Sequence, residues 1–228
     1  MRKITALVVL LFVLLLGNQS MAQQNQRKLV YIMDPVCAWC YGNIKPIKEI
    51  KDSVADKMPM EVYCGGMWTG DKVPKGGVEF YNLLRKHTPS IVIKTKERFS
   101  SAYYACLMDT TYRFSSFEPS KALWIVKNIA PEKFWEFKEK LQRGIFEKAI
   151  RSDRFDSFIE IVDEMGLDHD TFVQMWNSKD VNDQVNTEFE ISSSYSNSYP
   201  TLILVDGDKR EVLGKGYFSA KSVLDKLK

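Results

Sequence analysis

Two cysteines in the run Cys37-Ala38-Trp39-Cys40 are, by type and spacing, the residues of this 228-residue chain best suited to do chemistry. Two thiols at that separation can close a small, easily reduced disulfide, and a helix N-terminus beneath them stabilises a thiolate. They follow the apolar run Tyr31-Ile32-Met33 and the turn signal Asp34-Pro35, and Tyr41 continues the chain beyond them. Strand, turn and Cys-x-x-Cys at a helix start point to a redox site rather than to two buried structural cysteines. The other candidates are weaker. Structural zinc wants a second closely spaced ligand pair, whereas Cys64 and Cys106 stand alone. A Cys–His hydrolase needs a histidine held against Cys37, and the only two, His87 and His169, are far from it in sequence. A Cys64–Cys106 bridge would be worth about 4 kcal/mol on the chain-entropy argument; two buried free thiols are the expectation.

The elements that must position the pair can be read from periodicity. Leu29 to Met33 is an apolar strand. A helix is expected from Cys37 to about Asp56, with Ile47, Ile50 and Val54 on its buried face and a kink from Pro46. Met60 to Cys64 alternates as a strand, which Gly65-Gly66 ends. From Gly77 to Ser196 the pattern is helical. Pro131 suits a first turn, and Phe134, Phe137, Leu141 and Ile145 share a face. Ser152 or Asp153 can cap a helix with Phe155, Phe158, Ile159 and Val162 inward, stopped by Gly166. Asp168 or Asp170 opens the next helix, carrying Phe172, Val173 and Trp176. Val181, Val185 and Phe189 mark one more. Thr201 to Val205 and Arg210 to Leu213 read as a hairpin around Asp206-Gly207, and Ser219 caps a last helix.

The N-terminus bears on compartment. Arg2 and Lys3 precede an unbroken apolar run, Ala6 to Leu16, and Ser20 and Ala22 occupy the −3 and −1 positions of a cut before Gln23. This is the pattern of a secretory signal peptide over residues 1–22, and the run is short for a spanning helix. The expectation is a periplasmic or otherwise exported protein with no stable membrane insertion after cleavage near Ala22. Export would place the cysteines where disulfides form. Losing Arg2 and Lys3 lowers the net charge from +3 to +1, which argues against a nucleic-acid partner.

Strand-helix-strand, a helical block, then hairpin and helix is the order of a thioredoxin-type domain split by an insertion. The boundaries read as 23–76 and 197–228 for its two parts and 77–196 for the helical insertion. With Cys-x-x-Cys after the first strand and Tyr199-Pro200-Thr201 before the third, 160 residues beyond Cys40, the chain resembles the DsbA-like branch of the thioredoxin superfamily. More narrowly, Asp34-Pro35-Val36-Cys37-Ala38-Trp39-Cys40 with Gly65-Gly66-Met67 resembles the FrnE-like, predicted protein-disulfide-isomerase group. The fold class is therefore α/β, a thioredoxin-like fold with a large all-helical insertion.

That resemblance implies a cis bond at Pro200 facing the cysteines, and a substrate chain held in extended pairing beside it, bordered by Tyr199 and Thr201. It implies a thiol–disulfide oxidoreductase or isomerase that needs no bound organic cofactor and acts on cysteine-containing exported proteins. A further redox partner would recycle the pair. Cys37, nearer the helix start, is expected to be the nucleophile and Cys40 to resolve the mixed disulfide. Trp39 would offer either an apolar platform for clients or packing for the helical block. Asp34 would either cap the helix or, if ionised, disfavour a thiolate. With neither histidine nor proline between the cysteines, a moderately reducing or isomerase-like couple is expected. Two alternatives remain: a glutathione-using isomerase or transferase of the same fold, whose members typically lack the cysteine pair, and a client-binding module without turnover.

Overall fold

The computed structural model describes residues 27–228; the signal-peptide reading falls on residues 1–22, outside them. A four-stranded sheet has the order β2-β1-β3-β4, formed by β1 (Lys28–Met33), β2 (Met60–Cys64), β3 (Thr201–Asp206) and β4 (Lys209–Lys215). β1 and β2 are parallel, in register Tyr31 to Val62, while β3 runs antiparallel to both β1 and β4. The β1–β2 connection is a helical crossover and β3–β4 is a hairpin, as parallel and antiparallel pairs require. The bulge between Leu202 and Ile203 is the one irregularity in the hairpin register.

β1 is apolar at every position from Leu29 to Met33 because both of its faces are covered. Leu29, Tyr31 and Met33 point into the main core with Leu202 and Leu204. Val30 and Ile32 point the other way, against Ile203, Val205 and the rings of Tyr63, Tyr195 and Tyr199. The alternation is the two-residue period of a pleated strand.

The expected single helix after Cys37 is two: α1 (Ala38–Gly42) and α2 (Ile44–Val54). The break lies at Asn43 (φ −94, ψ 7). Pro46, three residues on, sits in the first turn of α2, where its missing N–H costs nothing. Asn43 spans the break: its Nδ2 donates to the Trp39 carbonyl (2.8 Å) and the Gly216 carbonyl (3.2 Å), and its Oδ1 accepts from Phe218 N (3.3 Å). It thus ties the Cys-x-x-Cys helix to the segment beyond β4.

Between β2 and β3 run seven α-helices: α3 (Val78–Thr95), α4 (Ser101–Leu107), α5 (Phe117–Ile129), α6 (Phe134–Glu147), α7 (Phe155–Glu164), α8 (His169–Trp176) and α9 (Lys179–Tyr195). α10 (Ala220–Leu224) closes the chain. Asp168 and Ser219 cap α8 and α10, accepting from Thr171 N (3.0 Å) and Ser222 N (3.1 Å). Ser152 and Asp153 do not cap α7. The Ser152 hydroxyl donates to the Ser115 carbonyl (3.3 Å), and the Asp153 carboxylate accepts from Arg113 N (2.9 Å) and pairs with Arg151. On α9 the fully covered face is Val181, Val185, Glu188 and Ser192, and Phe189 is only half-buried. No helix among the described residues is long and apolar enough to cross a membrane.

Candidate active site

Asp34 and Pro35 turn the chain out of β1. Asp34 Oδ1 accepts from Val36 N (3.0 Å), an Asx turn, and Cys37 N donates to the Asp34 carbonyl (3.2 Å). Cys37 lands at the N-cap of α1 in extended conformation (φ −79, ψ 116). Its carbonyl accepts from Cys40 N and Tyr41 N (2.9 and 3.0 Å). The two thiols therefore occupy successive levels: Cys37 is 7% exposed and Cys40 is sealed at 0%. All four cysteines are free thiols.

The 162-residue separation between Cys37 and Tyr199 collapses in the fold: Cys37 Sγ donates to the Tyr199 carbonyl at 3.7 Å. The Tyr199–Pro200 bond is cis. Pro200 is buried and its carbonyl accepts from Gly216 N (2.8 Å). The Tyr199 ring is half-buried over Gly65, and its hydroxyl donates to the Gly65 carbonyl (2.8 Å). Burial first, then the nearby Asp34 and cysteines, push its phenol up to about 12. Thr201 is turned inward, 1% exposed, with its hydroxyl donating to the Ser198 carbonyl (2.7 Å). Trp39 is half-buried beside α3, with the Lys94 ammonium 5.7 Å from its ring centre.

Asp34 is not the helix cap. Its carboxylate is wholly buried and accepts from Met67 N (2.7 Å) as well as Val36 N. Its own N–H points at Cys40 Sγ (3.4 Å). Burial raises the carboxyl from 3.8 to about 6, against the lowering by Met67 N–H, the Ser116 hydroxyl and Val36 N–H. Burial, then the hydrogen bond and charge of Cys37, hold the Cys40 thiol well above its ordinary range. Cys64 is likewise pushed up, chiefly by burial.

Gly65 and Gly66 are more than a strand end. A Cβ on Gly65 would lie 1.9 Å from Tyr199 Cε1, and Gly66 adopts φ +60 against the Phe189 ring. The bare backbone lets Tyr199 sit flat against the loop that delivers Met67 N to Asp34. Other residues that position the site carried no local signal: Asn43 at the helix break, Ser116 before α5, and the Lys127–Glu188 pair on the open edge of β2. Glu188 Oε1 accepts from Cys64 N (2.9 Å), and Lys127 Nζ donates to the Val62 carbonyl (3.1 Å). Tyr41, next to Cys40, locks α1 to the helical block. Its ring stacks on Phe146 (4.8 Å), and its hydroxyl donates towards Arg98 O and Glu147 Oε1, both at 2.8 Å.

No protein-family model matches the chain, and no curated protein matches it. Solved structures do. A proposed protein disulfide isomerase from Nitrosomonas europaea superposes with a TM-score of 0.78 at 20% identity, covering 89% of this chain and 96% of that one. The cytosolic disulfide reductase DsbM from Pseudomonas aeruginosa gives 0.74 at 20% identity, over 88% and 96%. The DsbA of the same bacterium gives 0.52 at 12% identity, over 89% and 81%. Taken with the sheet order, the inserted helices and the cysteines set against a cis-proline loop, these similarities establish that the chain has the DsbA-like thioredoxin fold.

Proposed function

We propose that this chain is a thiol–disulfide oxidoreductase acting on cysteine-containing proteins through the Cys37–Cys40 pair. The observation that carries the reading is Cys37 Sγ at the N-cap of α1, 3.7 Å from the Tyr199 carbonyl, with Cys40 sealed beneath it. In the reducing direction the Cys37 thiolate attacks a substrate disulfide R–S–S–R′, forming Cys37–S–S–R and releasing R′–S⁻. Cys40 then loses its proton, attacks Cys37 Sγ and releases R–S⁻. The substrate gains two electrons and the pair becomes a disulfide; the reverse sequence oxidises a dithiol. Asp34, whose N–H meets Cys40 Sγ (3.4 Å), carries the buried carboxyl that we assign as proton acceptor for Cys40: held at about 6, it is ionised at neutral pH yet basic enough to take a thiol proton. The backbone at Tyr199, Pro200 and Thr201 and the half-covered Trp39 ring border the place where the substrate chain lies.

The finer reading is export, with exported proteins as substrates and a separate partner that recycles the pair. It rests on the pattern of residues 1–22. DsbM, a cytosolic relative of the fold, has been solved with GSH, which favours glutathione as a second candidate for the recycling thiol. A direct test is turnover of a protein disulfide. Cys37→Ser is expected to abolish it, and Cys40→Ser to trap substrate as a stable mixed disulfide on Cys37. In-cell function left intact by Cys37→Ser would instead favour a client-binding module of this fold without turnover. N-terminal sequencing of the protein made in a bacterial host tests the cut before Gln23.

A further inference from the structure

A cleft of about 190 Å³ opens between α2 and α6. Ile44 and Ile47 of α2 and the Trp135 ring of α6 give it apolar walls, and Lys48, Lys51 and Lys138 line it as well. Lys138 is only 2% exposed. Among the described residues its ammonium makes one hydrogen bond, to the neutral amide oxygen Gln142 Oε1 (3.0 Å), and no ion pair. An ammonium carries three N–H donors, so two are unspent. A buried charge without a counter-charge is strongly unfavourable.

What is missing around Lys138 is an acceptor. Gln142 Nε2, and the hydroxyl of Tyr31, whose ring centre is 5.9 Å from the ammonium, are both buried without a hydrogen-bond partner. The first can only donate and the second can donate. The two carboxylates that line the cleft face other cations: Glu139 accepts from Arg143 Nε (2.8 Å), and Glu136 lies 3.9 Å from Lys133. Lys48 and Lys51 share one carboxylate, Asp52, at 2.7 and 3.0 Å. The Lys138 and Lys51 ammonium groups lie 5.7 and 5.8 Å from the centre of the same Trp135 ring, so the buried cation and a half-exposed one meet at one wall of the cleft. Burial lowers the Lys138 ammonium from 10.5 to about 8, which leaves it charged at neutral pH.

We propose that this cleft is a binding site for a small organic carboxylate, held by its carboxylate on the Lys138 ammonium and by its apolar body between Ile44, Ile47 and Trp135. A cavity of about 150 Å³ is enough for a benzene ring, so the volume suits a monocarboxylic acid of that size. An inorganic anion would satisfy the ammonium and leave the apolar walls unused; a neutral apolar molecule would do the reverse. Lys48 and Lys51, more exposed than Lys138, add an attractive field for an anion at the rim. The site is distinct from the cysteine pair, neither member of which lines the cleft, and it does not depend on the redox reading.

Benzoate is the probe, and benzamide, of the same shape without the charge, is its control. Isothermal titration calorimetry at neutral pH and fixed ionic strength is expected to show saturable one-to-one binding of benzoate to the unaltered protein. Benzamide should bind about 10- to 100-fold more weakly, the worth of a hydrogen bond to a charged group expressed as affinity. Lys138→Met should weaken benzoate by the same factor and remove the rise in Tm that benzoate gives the unaltered protein. Lys140→Met, on the same helix but paired with Glu164 outside the cleft, should leave benzoate binding unchanged. Lys138→Met is expected to fold, because it removes an uncompensated buried charge at similar volume; if it does not, Lys138→Gln serves, and the comparison of benzoate with benzamide needs no variant. Absence of saturable benzoate binding, equal affinity for benzamide, or undiminished binding in the Lys138 variant overturns the inference. Equal weakening in Lys140→Met overturns it too, since the attraction would then be one of general surface charge.

Discussion

Replacing Asp34 by Asn isolates the buried carboxylate beneath the cysteines. Asp34 is wholly buried, and its carboxyl is raised from 3.8 to about 6, mainly by burial. Below pH 4 the group is protonated folded and unfolded, and burial of its charge costs nothing. Between pH 4 and 6 the unfolded chain ionises while the native chain holds its proton, so stability falls as pH rises. Above pH 6 the native carboxylate is ionised as well, and the whole cost is present. Two pH units at 1.36 kcal/mol each make that cost about 3 kcal/mol. Asn is nearly isosteric with the protonated acid and keeps an oxygen for either Val36 N–H or Met67 N–H, so the two proteins are expected to be close in stability at pH 4. At pH 7 Asp34→Asn should be the more stable by about 3 kcal/mol, less up to about 1–3 kcal/mol if one N–H is left without an acceptor. The observable is therefore the change in the difference between pH 4 and pH 7. Urea unfolding of the reduced proteins, followed by tryptophan fluorescence, supplies it, and subtraction cancels the other titrating groups. A difference that stays flat across that range, or moves against Asp34→Asn, refutes the claim that Asp34 is ionised at a cost in the native site. The same variant should slow resolution by Cys40 at neutral pH if the carboxylate takes its proton.

Gly65→Ala places a methyl group 1.9 Å from Tyr199 Cε1; a loss of about 1–3 kcal/mol in stability is expected from overpacking, together with slower attack by Cys37. Most of that loss should vanish in a Tyr199→Ala background, and a double-mutant cycle with no coupling would contradict the assigned contact. Glu188→Ala leaves the Cys64 N–H without its acceptor and the Lys127 ammonium without its counter-charge, held only by the Val62 carbonyl, at the edge of β2. It should cost about 3 kcal/mol by denaturant unfolding, and a cost below about 1 kcal/mol would show that water replaces the carboxylate freely.

Much of the architecture was readable from local pattern, because it is enforced locally. β1 reads as an unbroken apolar run, since helices and rings cover both its faces. Asp168, Gly166 and Ser219 mark helix ends through hydrogen bonds and a left-handed φ that involve only their neighbours. Where the reading slipped, long-range partners had intervened. Ser152 and Asp153 look like caps, but the Ser115 carbonyl, Tyr112, Arg113 and Arg151 claim them. Pro46 was expected to kink one long helix; the break falls at Asn43, whose side chain is engaged by Gly216 and Phe218 from beyond β4. Phe189 was assigned to the buried stripe of α9, yet Glu188 is the residue sealed against β2.

The chain's sequence by itself determined the two thiols at helix-turn spacing, the strand and turn that precede them, and the order of elements that makes a thioredoxin-type sheet with inserted helices. These depend on periodicity and on hydrogen bonds between near neighbours. Only the tertiary structure decided how the pair is armed: Cys37 set against the Tyr199 carbonyl, and Cys40 sealed with the Asp34 N–H on its sulfur while the wholly buried Asp34 carboxylate is held by the Met67 and Val36 N–H groups. Those relations join segments up to 162 residues apart. They act through burial, which sets the cost of each charge and is a property of everything packed around a group.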